Sequence, residues 1–304
     1  MAMLGSGTDG RVRRSGGIRW WVLLVFAAYA AFSWFGGAKT DPYTGEKARY
    51  GASVDEEAQL GLQAFTEVLS QEKPLDASHP TAKQIEGIAR RLVARASEVE
   101  AQLAAENSQP SPDLARTFDW SVAVLESEQA NAFCLPGGKM AVYTGLIPVT
   151  QNENAMAIVM GHEIAHALLR HGSQRMAQQK LVQIGQMAAG VAVGEMDMQQ
   201  QQMLMAALGA GLQYGVVLPY GRDHETQADE VGLMLAAAAC FNPAEAVPLW
   251  QRMAQMSGGQ KPPEFASTHP SEASRIQHLQ SLMPKAMAFR QKYCGQGGAS
   301  AATN

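Results

Sequence analysis

Two histidines, His162 and His166, stand four residues apart in the run Ala155 to Leu169, with Glu163 beside the first. In a helix that spacing sets two side chains about 6 Å apart on one face. In a strand it separates them by about 13 Å. The apolar positions Ala155, Ile158 and Val159 continue in helical register into His162, Ala165, His166 and Leu169, so the pattern predicts a helix. On that face two imidazoles can chelate one zinc ion per chain, while Glu163, the next residue round, points toward an open coordination position.

The third ligand distinguishes the classes of such zincin sites. Gly and His at three and six residues past the second histidine would mark a metzincin, but Leu169 and Gly172 occupy those positions and His171 is one residue out of register. The remaining common solution is a glutamate from a later helix. Glu225 fits best, because Asp229 lies four residues on and can accept the free N–H of a metal-bound imidazole. Glu195 sits in a Gly/Met-rich stretch without such a partner, and Glu230 points about 100° away from Asp229. The expected metal ligands are therefore His162, His166 and Glu225, with Asp229 behind them. Zinc would acidify water and polarise a peptide carbonyl, and Glu163 would move the proton to the leaving amine. Two rival readings are a Cys134 nucleophile paired with a histidine, and a membrane-tethered binding module with a purely structural zinc. Cys134 lies in an apolar strand-like run, and a structural site has no use for a base such as Glu163.

Composition limits the rest. The 304 residues, 46% hydrophobic, suffice for one catalytic domain with an appendage. A net charge of −4 leaves no footprint for nucleic acid. Cys134, Cys240 and Cys294 lack C-x-x-C spacing, so a metal must use His and carboxylate. At the amino terminus Arg11, Arg13, Arg14 and Arg19 precede the uncharged stretch Trp20 to Ala38, which reads as a membrane segment bracketed by Trp20-Trp21 and Trp34-Phe35. It is either a retained anchor or a signal peptide cut after Ala30. The arginines place the remainder across the membrane, in the periplasm if the source is a bacterium. The expected location is therefore a single-pass inner-membrane protein with a periplasmic catalytic domain; the alternative is a soluble periplasmic one. An oxidising compartment would permit a Cys240–Cys294 disulfide, with two unlinked thiols as the alternative.

Residues 1–19 are thus expected to form a basic cytoplasmic tail, 20–38 the membrane segment, 39–52 a turn-rich linker, 53–294 the catalytic domain and 295–304 a disordered tail. Within the domain, Ser53 and Glu56 form a capping box that opens a helix to about Leu69. A second helix covers Thr81 to about Glu106. Strands are expected within Phe118 to Leu125 and at Lys139 to Tyr143, with a turn at Pro136-Gly137-Gly138. A capping box of Thr150 and Glu153 is expected to open the histidine helix. From Met198 to Gly221 no residue is charged.

The chain carries, in order, Asn131-Ala132-Phe133, Pro136 to Lys139, Tyr143 to Leu146, Gly161 to Ala167 with His171, Arg222-x-x-Glu225-x-x-Ala228-Asp229, and His269-Pro270-Ser271 with Arg275. Together these motifs resemble the Oma1-like and HtpX-like gluzincin metallopeptidases. The resemblance implies an α+β, mainly α fold, a zincin metallopeptidase domain with a small β-sheet, here preceded by one N-terminal transmembrane helix. It implies an endopeptidase acting on unfolded or misassembled proteins in membrane or envelope quality control. It also implies that Asn131, Ala132 and an edge strand of Lys139, Met140, Ala141, Val142 and Tyr143 hold extended substrate by main-chain pairing. His269 and Arg275 are implied as catalytic groups that meet the oxyanion. In some relatives the corresponding histidine takes the fourth zinc position and keeps the enzyme latent, and both roles stay open for His269.

Overall fold

The computed structural model describes residues 20–193, 198–212, 217–257, 265, 268–269 and 273–295. Its helices in chain order are α1 (Trp20–Gly36), α2 (Val54–Gln71), α3 (Pro80–Glu106), α4 (Leu114–Thr117), α5 (Ile147–Thr150), α6 (Glu153–Leu168), α7 (His171–Val193), α8 (Met198–Leu212), α9 (Leu218–Ala238), α10 (Ala246–Ser257) and α11 (Ala273–Cys294). The strands are β1 (Lys39–Thr40), β2 (Lys47–Ala48), β3 (Ser121–Leu125), β4 (Ala132–Leu135) and β5 (Lys139–Tyr143). The fold is thus α+β and mainly α. It divides into two compact units, residues 1–37 with 179–218, and residues 38–178 with 219–304.

In the first unit, α1 covers 17 residues, or about 26 Å at 1.5 Å per residue, against the roughly 30 Å of a bilayer's hydrocarbon. Among the described residues no helix is long and apolar enough to cross a membrane. The expected 20–38 span is shortened because the helix ends at Gly36 and the chain turns at Gly37. Trp21, Leu24, Val25, Tyr29 and Phe32 nevertheless lie exposed along α1.

The second unit carries the ligand-bearing helices. Within residues 39–52, expected as a turn-rich linker, β1 and β2 pair as an antiparallel ribbon, and Asp41 and Tyr43 between them are buried. Asp41 Oδ1 accepts the backbone N–H groups of Tyr43 and Thr44, and Tyr43 Oη donates to Glu100 at 2.6 Å. Local side-chain bonds of this kind turn polar residues into structure. At Ser53 the expected capping box is present, with hydrogen bonds in both directions to Glu56.

At α6 the start differs from expectation. Thr150 ends α5, Gln151 takes a left-handed φ of 65°, and Asn152 caps the helix by accepting from Ala155 N–H at 2.9 Å. Glu153 pairs instead with Arg91 at 2.8 Å. Asparagine caps more strongly than threonine, which explains the two-residue shift. From Ala155 to Leu168 every residue of α6 is buried. The helix packs on β4, α3 and α10.

The three-stranded sheet runs β3-β5-β4, with β5 parallel to β3 and antiparallel to β4. This overturns one expectation. Lys139 to Tyr143 is the central strand, buried at every position, because the Pro136–Gly138 turn folds β4 back along one side while β3 takes the other. The edge beside α6 belongs to β4. The turn itself is as expected, with Gly137 and Gly138 at φ 81° and 86°. A disulfide joins Cys240, just past α9, to Cys294 at the end of α11, with Cα atoms 5.7 Å apart.

Candidate metal centre

Helix α6 supplies two buried imidazoles whose Nε2 atoms lie 3.0 Å apart. Helix α9 supplies Glu225, with Oε2 3.3 Å from His162 Nε2 and Oε1 3.4 Å from His166 Nε2. His269 completes the group: its Nδ1 is 3.2 Å from His162 Nε2 and 2.8 Å from Glu225 Oε2. One ligand atom from each of the four residues falls within 4.8 Å of all the others. Bonds of about 2.0–2.1 Å to a tetrahedral zinc ion would put ligand atoms about 3.3 Å apart, so the separations among His162, His166 and Glu225 fit such an ion.

The helices can bring these groups together because they touch through glycine. A Cβ on Gly161 would meet Gly232 O at 2.8 Å, and one on Gly232 would meet His162 Cα at 2.7 Å. Gly232 lies two turns beyond Glu225, on the same face of α9. Around the ligands, Arg275 makes a two-pronged bond to Asp229 (Nε to Oδ2 2.8 Å, Nη2 to Oδ1 2.7 Å) and sends Nη1 to Glu225 Oε2 at 3.0 Å. Its guanidinium lies 3.8 Å from the Trp250 ring centroid. Asp229 Oδ1 is 3.0 Å from His162 Nδ1, but that nitrogen is left without an aligned hydrogen bond, so the contact is a close polar approach.

The electrostatics favour a cation. Glu163, Glu225 and Asp229 are buried around the Arg275 guanidinium and the two imidazoles, a carboxylate-rich setting that suits a divalent ion. Burial pushes the Glu225 carboxyl up, but His162, His166 and His269 outweigh it and hold the group far below the usual carboxylate range. Burial likewise opposes ionisation of Asp229, and Arg275 beside it prevails. Burial pushes His162 down, yet Asp229 and Glu225 raise it to about 9, whereas His166 is pushed by burial down to about 3. Two ring nitrogens 3.0 Å apart cannot both hold a proton.

Glu163, 3% exposed, has its carboxyl raised by burial, against the pull of His269 and His162. Its Oε1 lies 3.4 Å from His269 Nε2 and has no hydrogen-bond partner, as suits a base awaiting a water proton. His269 stacks on Phe265, centroids 4.5 Å apart, and Phe265 N–H donates to Ala130 O at 3.0 Å beside the start of β4.

The other expected residues separate. Asn131 and Ala132 lie at the start of the edge strand, but Lys139, Met140, Ala141, Val142 and Tyr143 are interior, and Lys139 Nζ bonds Asp119 Oδ2 at 2.8 Å. Arg275 was expected at the oxyanion; its Nε and Nη2 bond Asp229 and its Nη1 bonds Glu225. Glu230 pairs with Lys285 at 3.1 Å, and Glu195 lies outside the described residues. Burial pushes the Cys134 thiol far up, which removes it as a nucleophile. Sequence reasoning found no role for His171 or a partner for His224. The two rings stack 4.0 Å apart, and His171 Nδ1 lies 2.7 Å from His166 Nδ1.

A helix carrying two histidines and a base, completed by a glutamate from a second helix, defines a zinc-type metalloendopeptidase. Residues 94–283 match peptidase family M48. The chain belongs to that family. It is 29% identical over 274 residues to mitochondrial metalloendopeptidase OMA1 of Schizosaccharomyces pombe, covering 89% of this chain and 74% of the relative. Against the Saccharomyces cerevisiae enzyme of that name it is 31% identical, covering 75% of this chain and 64% of the relative. Against the beta-barrel assembly-enhancing protease of Escherichia coli it is 27% identical, covering 79% of this chain and 46% of the relative.

Proposed function

We propose that the protein is a zinc endopeptidase of membrane or envelope quality control that cleaves unfolded or misassembled proteins. His162, His166 and Glu225 would hold one zinc ion, and the convergence of their ligand atoms beside Glu163 carries the reading. When bound, the metal supplies Lewis-acid polarisation of the scissile carbonyl and acidifies water. Glu163 takes the proton of the attacking water and returns it to the leaving amine, helped by burial that raises its affinity for that proton. Asp229 and Arg275 hold His162 and Glu225 in place. Extended substrate would pair along the free edge of β4, Ala132–Leu135, with Asn131 at its start, which requires an unfolded segment. His269 stands at a fourth ligand position and would move aside, its ring then free to meet the oxyanion.

We further propose that the catalytic unit works on the periplasmic side of a bacterial inner membrane. The arginines before Trp20, the exposed apolar side chains of α1 and the Cys240–Cys294 disulfide support this. The kinship with mitochondrial OMA1 and with a protease named for barrel assembly supports a role in protein quality control.

The test is Glu163→Gln on purified protein. Zinc should stay stoichiometric while cleavage of an unfolded protein such as casein falls by about 10²–10⁴-fold, the worth of a positioned base. Chelation should abolish the wild-type activity and zinc should restore it. Near-wild-type cleavage by the zinc-loaded variant would remove Glu163 from the mechanism.

A further inference from the structure

A metal-binding imidazole is held by the partner of its other nitrogen. For His166 that partner is His171, Nδ1 to Nδ1 at 2.7 Å. His171 Nε2 lies 3.0 Å from Gln227 Oε1, and Gln227 Nε2 lies 2.6 Å from Glu46 Oε2. Glu46 belongs to the turn between β1 and β2, where Asp41 N–H donates to its carbonyl at 2.7 Å.

One set of proton positions satisfies the whole chain. An ionised Glu46 only accepts, so Gln227 turns its NH₂ to it and its carbonyl to His171. His171 must then carry its proton on Nε2 and accept at Nδ1. His166 must therefore donate from Nδ1, which leaves its Nε2 lone pair facing the ligand cluster. In the opposite tautomer His171 Nε2 would face a carbonyl lone pair, and His166 would bear a proton where the metal binds.

We propose that Glu46, Gln227 and His171 are positioning residues that set the tautomer of His166, so that the β1–β2 ribbon tunes metal affinity from outside the ligand set. This rests on His166 being a metal ligand. The relay crosses from a fully buried ring to an exposed carboxylate, so its outer end can be altered without touching the core.

The experiment measures zinc affinity of the full chain by competition with a chromophoric chelator, with melting of the metal-free form as a check on folding. Gln227→Leu removes the acceptor for His171 and should weaken zinc binding by roughly 10–100-fold. Gln227→Glu keeps an acceptor there and should bind within about threefold of wild type, although a charge in a half-buried place is the harsher structural change. Glu46→Lys should flip the amide and weaken binding by about tenfold, and adding Gln227→Glu to it should restore binding. Wild-type affinity in both Gln227→Leu and Glu46→Lys overturns the proposal, as does a Gln227→Glu variant no better than Gln227→Leu. Tight zinc in His166→Ala would instead overturn the assignment of the ligand itself.

Discussion

Gly232→Ala should damage catalysis more than it damages the fold. A methyl at Gly232 would sit 2.7 Å from both Cα and N of His162 and 2.8 Å from Gly161 C, well inside the 3.4 Å at which ordinary contact begins. All three atoms are backbone, so relief requires α6 and α9 to separate by about 0.7 Å. Overpacking of this kind costs about 1–3 kcal/mol. Alanine in a helix returns about 1 kcal/mol of propensity. The net loss is then about 0–2 kcal/mol, a fall in melting temperature of up to about 8 °C for a unit of this size. The candidate metal ligands His162, His166 and Glu225 ride on the two helices being separated, and displacements near 1 Å cost on the order of 10² in rate. Gly87→Ala in α3 is the control: nothing lies within 4 Å of its new methyl, so its melting temperature should rise by about 2–4 °C with activity unchanged. Thermal melts and casein cleavage on both variants decide the matter. If Gly232→Ala behaves like Gly87→Ala, the glycine contact does not position the site.

Glu225→Ala should lose zinc and activity together, read by metal analysis of the purified variant; stoichiometric zinc there would remove Glu225 from the ligand set. Reduction of Cys240–Cys294, or replacement of both by alanine, opens a loop of 54 residues. Loop closure of that length is worth about 4 kcal/mol in the chain-entropy account, so the melting temperature should fall by roughly 8–16 °C. Coincident melts of oxidised and reduced protein would show that the link contributes nothing.

What the sequence disclosed depended on whether the signal was local. His162 and His166 state their own geometry, because one spacing on one helix makes a chelate. Ser53 and Glu56, or the turn at Pro136 to Gly138, are likewise settled by neighbours within a few residues. Lys139 to Tyr143 is legible as a strand for the same reason, but whether it is edge or centre depends on β3 and β4 flanking it, and a strand's own residues do not encode its neighbours. Arg275 was legible as a member of the site by resemblance. Its task was not, since the fork onto Asp229 and Glu225 joins residues 46 and 50 positions away. His171 showed only as a motif member by resemblance, with no role attached, and Gln227 carried no readable spacing. Their meaning comes from a ring stacked on His224 and a ribbon far earlier in the chain.

These placements explain why so polar a cluster can lie in a helix that is buried all round. Each buried charge is costly unless it is paired, and a carboxylate excess in a core weakens a fold that holds no cation. The surroundings of α6 answer that cost with partners drawn from distant segments: Arg275 from α11 for Asp229 and Glu225, and Gln227 with Glu46 for the ring behind His166. With the imidazoles neutral, as metal binding requires, the buried carboxylates outnumber Arg275, which favours a divalent ion at the cluster. Binding there adds to stability in proportion to the logarithm of metal concentration over its dissociation constant. Folding and loading of the site are thus thermodynamically linked. The same residues that concentrate charge at the cluster orient its candidate ligand atoms toward one point, so a metal bound there would need little rearrangement.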